Sequence, residues 1–165
     1  QKILNIIERG HIQKHVHFLN IGSQLELAAT YRYFAQRGSV FALTSLYEPF
    51  GLAPLEAAAT GLVPVVTKNG GPSEIFCDGS GMLVDPTSPK SISEGLINGL
   101  KRYSELSKMA IELVKEKYTW RQTANRYLYS INDVIYSKQK IDRVEQIKLN
   151  DKDLINDYLK SIADR

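Results

Sequence analysis

The sequence predicts an α/β fold: a parallel sheet flanked by helices, with a helical extension at the C-terminal end. Short apolar runs alternate with amphipathic stretches between Val16 and Val84. Strands that alternate with helices build right-handed βαβ units, and hence a parallel sheet. The run Val40 to Thr44 is apolar without alternation, as a strand covered on both faces should be. From Ile92 onward the apolar residues recur at helical spacing.

The elements follow in order. Lys2 to Arg9 reads as the end of a helix closed by Gly10. Val16 to Leu19 reads as a strand. Ser23-Gln-Leu-Glu26 is a capping box that opens a helix, with Leu27, Ala28, Tyr31, Phe34 and Ala35 on one face and Gly38 at its end. Val40 to Thr44 is the second strand. Pro54 to Ala59 reads as a helix ended by Gly61, and Val63 to Thr67 as a third strand, with Pro64 tolerable near its start. Gly70-Gly71-Pro72 is a turn into a short helix. Gly81 to Val84 is a fourth strand, closed by Asp85-Pro86.

Helices then dominate. Ile92, Leu96, Ile97 and Leu100 form one apolar stripe; Leu106, Met109, Ala110, Leu113 and Val114 form another. Thr119-Trp-Arg-Gln122 is a second capping box, opening a helix with Trp120, Ala124, Tyr127, Leu128, Ile131 and Ile135 on one side. Trp120 and the tyrosines at this spacing read as core. Residues 138–165 are highly charged, yet Leu154, Ile155, Tyr158, Leu159 and Ile162 mark an amphipathic helix there. The expected division is a sheet domain over 1–137 and a helical extension over 138–165.

Composition narrows the function. The 165 residues carry 21 Lys and Arg against 18 Asp and Glu, a net charge of +3. The charges are interleaved, so no nucleic-acid partner is implied. No apolar run approaches a membrane span. A single cysteine, Cys77, excludes an internal disulfide, and a reducing, cytoplasmic setting is expected. Cys77 reads as a small half-buried apolar residue. His15 and His17 share a strand face but have no Cys or acidic partner placed with them, so no metal site is expected. Arg32 reads as a surface pair or stacking partner. The chain opens at Gln1 inside a helical pattern, and an upstream part is therefore expected.

In a parallel sheet, ligands bind in the loops at the carboxyl ends of the strands. Three loops qualify: Asn20 to Ser23, Ser45 to Pro54 and Lys68 to Ser73. The second runs from Glu48 through Pro-Phe-Gly51-Leu-Ala-Pro54 to Glu56. Gly51 lets a ligand approach the backbone. The amides of Gly51, Leu52 and Ala53 fall at a helix start, where free N–H groups and the helix dipole attract an anion. Pro54 has no N–H to leave unpaired there. Glu48 and Glu56 bracket that point. Carboxylates repel phosphate but accept hydrogen bonds from hydroxyls, which suits a sugar nucleotide.

These residues resemble the retaining glycosyltransferases of the two-Rossmann-domain (GT-B) fold, whose signature is Glu-x7-Glu. Tyr31-Arg-Tyr-Phe, Gly38-Ser-Val-Phe-Ala-Leu-Thr-Ser, Tyr47-Glu-Pro-Phe-Gly-Leu-Ala-Pro-Leu-Glu-Ala and Lys68-Asn-Gly-Gly-Pro-Ser-Glu-Ile are similar to the sucrose-phosphate synthase and sucrose synthase branch. The likeness is most specific over residues 38–86. It implies a Rossmann-like C-terminal donor domain of a GT-B enzyme. Glu48 would then hydrogen-bond hydroxyls of the transferred sugar and orient its anomeric carbon. The amides around Phe50, Gly51 and Leu52 would hold that sugar and its phosphate. Glu56 would bind the ribose, the base would lie against Asn20 to Leu27, and Gly70 and Gly71 would line the cleft. Glu74 reads as a helix cap or a support for the loop.

The resemblance further implies UDP-glucose as co-substrate, fructose 6-phosphate as acceptor and no metal. It places an Arg and a Lys that neutralise the leaving diphosphate, and the acceptor domain, before Gln1. The fragment alone is therefore expected to lack transferase activity and to bind donor weakly. Its domain interface and C-terminal helix are open to self-association. The competing reading is a non-catalytic nucleotide-sugar-binding or interaction module. A dinucleotide-binding oxidoreductase is excluded, because no G-x-G-x-x-G follows a strand.

Overall fold

The computed structural model describes residues 2–138. The contacts divide the chain into two units, 1–122 and 123–165. The first unit contains α1 (Lys2–Arg9), α2 (Gln24–Ala35), β1 (Val40–Leu43), α3 (Leu52–Ala59), β2 (Val63–Thr67), α4 (Gly71–Ile75), β3 (Met82–Val84), α5 (Pro89–Lys101) and α6 (Tyr103–Lys117). Helix α7 (Trp120–Lys138) begins there and forms the described part of the second unit. The expected amphipathic stretch around Leu154 to Ile162 lies outside the described residues.

The sheet is parallel, in the order β1-β2-β3. β2 lies in the centre and all five of its residues are buried. Successive side chains point to opposite faces, and the two faces receive different helices. Val66 packs with Ala58 of α3 and with Ala110 and Leu113 of α6, joined by Ile75 and Phe76. Val63 and Val65 face α5. Phe41 of β1 meets Tyr31 of α2 edge-on at 5.6 Å, over Ala35, Ala57 and Leu62. Polar ties reinforce this side: Ser107 Oγ donates to Gly61 O at 2.7 Å, and Tyr103 Oη donates to the carbonyls of Ala35 and Gly61.

The Ser23 and Thr119 hydroxyls both cap their helices. Glu26 N donates to Ser23 Oγ at 3.2 Å, and Glu26 Oε2 accepts in return from Gly22 N at 2.7 Å. Gln122 N donates to Thr119 Oγ1 at 3.3 Å.

Several expectations change. Val16 to Leu19 makes no ladder with the described strands; Val16 is extended, but Phe18 and Leu19 stay exposed. A strand forms only by pairing, and this segment has no described neighbour. β1 is an edge strand whose Ala42 is exposed, not one covered on both faces. Gly10 N does close α1 by donating to Ile6 O, but the left-handed residue is His11, with φ 52°. Cys77 is exposed. Trp120 is 89% exposed, and Tyr127 and Leu128 are exposed as well, where the spacing predicts core. Among the described residues Arg37, not Arg32, stacks on a ring, over Tyr33 at 3.5 Å.

The stripe assigned to α5 is also revised. Ile97 and Leu100 are exposed, whereas Gly95 and Gly99 are buried against the sheet. A Cβ on Gly95 would overlap Val84 Cγ1, and one on Gly99 would stand 3.1 Å from Val40 Cγ1. Helix and sheet thus meet backbone to side chain. Gly95→Ala is expected to destabilise the chain by about 1–3 kcal/mol, the usual cost of overpacking. Urea denaturation checks this, and part of the loss should return when Val84→Ala is added.

Candidate functional site

The carboxyl ends of the three strands feed the loops 44–51, 68–70 and 85–88, which share one edge of the sheet. The first two loops are joined. Glu48 and Gly70 form a parallel bridge. Glu48 N donates to Asn69 O at 3.1 Å, and Gly71 N donates to Glu48 O at 2.9 Å. Only glycine permits this approach. A Cβ on Gly70 would overlap the Glu48 carbonyl, and one on Gly71 would lie 2.5 Å from Phe50 O. Gly70 also has φ 96° and ψ −151°, a region open essentially to glycine alone. Gly70 and Gly71 therefore support the acidic loop from behind.

The loop then turns into α3 through Gly51, at φ 85°. Here the geometry differs from expectation. Glu48 Oε1 accepts from Gly51 N at 3.0 Å and from Phe50 N at 3.3 Å. The carboxylate folds back onto two amides that the sequence reading offered to a ligand. The reason is proximity: a side chain three residues before the N-cap Gly51 reaches those N–H groups as an N-cap residue does. Leu52 and Ala53 remain as the first-turn amides without a partner among the described residues. Glu48 Oε2 likewise has no partner there and can accept from a ligand hydroxyl. Leu46, Tyr47, Phe50 and Leu52 all project outward.

Glu56 stands one turn beyond Leu52, so both lie on the same face of α3. It borders a cavity of about 290 Å³ between α2 and α3, lined also by Gln24, Leu27, Tyr31 and Thr60. This volume sits at the lower end of ligand-pocket sizes, suited to one sugar or nucleoside portion. Burial, with the Glu56 charge adding to it, raises the Tyr31 hydroxyl above its usual range. Tyr31 thus stays protonated at neutral pH and can donate. The Asn20 to Leu27 segment assigned to the base meets Glu56 in this cavity through Gln24 and Leu27. A larger hollow, about 520 Å³, runs along α7 between Arg126 and Ile135; among the described residues its lining includes no carboxylate.

Sequence reasoning passed over Asn69 and the ion pair behind it. Asn69 Nδ2 donates to Leu46 O at 2.8 Å. An Asn before Gly-Gly at a strand end was the available signal, since Asn bonds readily to nearby backbone. Lys68 Nζ pairs with Asp85 Oδ2 at 2.8 Å, tying the ends of β2 and β3. Glu74 lies exposed inside α4, and its side chain makes no hydrogen bond among the described residues.

Two predictions follow from this geometry. Gly70→Ala should cost about 1–3 kcal/mol from backbone conformation alone, with the overlap on Glu48 adding to it; chemical denaturation measures the loss. Asp85 is held below the usual carboxylate range, first by the Lys68 hydrogen bond and then by Thr87. Its stabilisation is complete above the unfolded carboxyl value of about 3.9 and fades as pH falls through the lowered folded value. Denaturation midpoints against pH should show a shallower acid decline for Asp85→Asn than for the parent chain.

Comparison with known proteins agrees with this architecture. The chain is 45% identical over 112 residues to a probable sucrose-phosphate synthase of Thermosipho melanesiensis, covering 67% of this chain and 26% of that protein. A solved sucrose-phosphate synthase from Thermosynechococcus elongatus superposes with TM-score 0.67 at 23% identity, over 82% of this chain and 34% of that one. The C-terminal domain of a group 1 glycosyl transferase from Francisella tularensis superposes with TM-score 0.59 at 25% identity, over 72% of this chain and 62% of that one. The chain thus spans about a quarter of the curated relative's length, and its fold is that of the C-terminal domain of GT-B glycosyltransferases. Residues 1–117 match the family described as glycosyl transferases group 1, and the chain belongs to that family.

Proposed function

We propose that residues 1–137 bind a nucleotide-sugar donor for a retaining hexosyl transfer, with 138–165 as a helical extension. The donor is UDP-glucose and the acceptor a sugar or sugar phosphate such as fructose 6-phosphate. One observation carries the reading: a carboxylate with one oxygen free among the described residues, two amides unpartnered there and a second carboxylate follow one another along the start of α3.

In this reading the diphosphate rests on the Leu52 and Ala53 amides, favoured by the helix dipole. Glu48 Oε2 accepts from hydroxyls of the hexose and fixes its anomeric carbon. Glu56 accepts from the ribose hydroxyls, and the Tyr31 hydroxyl donates beside it. As the anomeric carbon parts from the phosphate oxygen, negative charge grows on the diphosphate, and N–H groups already aimed at that point stabilise it. The acceptor hydroxyl bonds to the anomeric carbon on the same face, and its proton leaves toward the departing oxygen. Lys68 is engaged with Asp85. In this reading the cationic charge for the leaving diphosphate, and the acceptor site, are supplied from outside residues 1–137. The chain alone has no transferase activity and binds donor weakly. No metal takes part.

Saturation-transfer NMR suits such weak binding. UDP-glucose at about 1 mM, a concentration matched to weak affinity, should receive saturation on both ribose and glucose protons. Glu56→Ala should abolish transfer to the ribose. Absence of transfer from the parent chain would contradict the donor role; unchanged ribose transfer in Glu56→Ala would contradict the assignment of that carboxylate.

A further inference from the structure

We propose that Asn69 is a positioning residue that holds the Glu48 loop in its working shape; this rests on the donor-binding reading above. Asn69 connects the buried sheet to the acidic loop through three bonds. Its backbone N–H donates to Thr67 Oγ1 at 3.2 Å. Thr67 ends β2 and is completely buried, so the attachment point is the most enclosed strand of the sheet. Its side-chain Nδ2 donates to Leu46 O at 2.8 Å. Its own carbonyl accepts from Glu48 N at 3.1 Å.

Two of these bonds land on opposite sides of Tyr47, so the loop is held at Leu46 and at Glu48. Beyond Glu48, the hydrogen bonds to the Phe50 and Gly51 amides among the described residues come from the Glu48 carboxylate. A shift at Leu46 is therefore passed directly to the carboxylate and to the start of α3. The glycines that follow let the loops come close, and Gly71 N adds its own bond to Glu48 O at 2.9 Å. The Asn69 amide adds the hold at Leu46, on the other side of Tyr47.

Aspartate matches asparagine in shape yet offers no N–H₂. Asn69→Asp would place a carboxylate against the Leu46 carbonyl and repel it. Lys68→Ala serves as the control, since Lys68 reaches Asp85 and not the loop. Hydrogen exchange and UDP-glucose titration are measured on each chain. In Asn69→Asp the amides of Glu48, Phe50, Gly51 and Gly71 should exchange about tenfold faster, and donor affinity should fall about tenfold, a 1.4 kcal/mol change. The amides of Val65 and Val66 should be unaltered, which reports an intact sheet. Lys68→Ala should move neither readout. If Asn69→Asp fails to fold, Asn69→Ala replaces it with the same expectations.

Parent-like exchange at the four loop amides overturns the proposal. Faster exchange with unchanged donor affinity makes Asn69 merely structural and also overturns it, while leaving the donor reading in place. A parent chain that binds no nucleotide sugar defeats the donor reading itself, and the positioning role with it.

Discussion

The candidate site depends on a single backbone contact, the parallel bridge between Glu48 and the Gly70–Gly71 segment. It brings the loop after β1 onto the loop after β2 so closely that no side chain fits between them. With that contact made, Glu48 Oε1 accepts from the Phe50 and Gly51 amides just ahead of it. Helix α3 then begins at Leu52, with its first N–H groups uncovered. The proposed anion site and its two flanking carboxylates would then follow from the path of the main chain, with little demand on side-chain charge.

The sheet supplies the rigidity behind this arrangement. β2 is enclosed on both faces, by α3 and α6 on one and by α5 on the other. The approach of α5 through Gly95 and Gly99 repeats at the core what Gly70 and Gly71 do at the rim. In both places the missing Cβ allows a close contact that fixes the neighbouring element. Thr67 passes the order of the core outward by bonding the loop that follows it.

Much of this was legible in the sequence. Ser23 with Glu26, and Thr119 with Gln122, announced their helices because a capping box is a local interaction written in adjacent residues. The three paired strands were readable as apolar runs between turn residues. The acidic loop was readable because Glu48, Gly51, Pro54 and Glu56 each have a distinct backbone or hydrogen-bonding role. What escaped depended on distant partners. Val16 to Leu19 has strand composition but no described neighbour to pair with. The stripe on α5 misled because periodicity favours large residues, whereas the sheet accepted the glycines. Trp120 was placed inside by its spacing, yet spacing cannot say whether a second surface is present to cover it. The capture of the Phe50 and Gly51 amides by Glu48 needed coordinates, since the same carboxylate could have pointed outward.

The account therefore stands on anion capture by peptide N–H groups at the start of α3. The most direct measurement is a crystal structure of the chain grown with UDP-glucose. Diphosphate density within hydrogen-bond distance of the Leu52 and Ala53 amides, with the ribose beside Glu56 and a hexose hydroxyl on Glu48, is the result predicted. Ordered donor density elsewhere on the chain, with those two amides still bare, would contradict it.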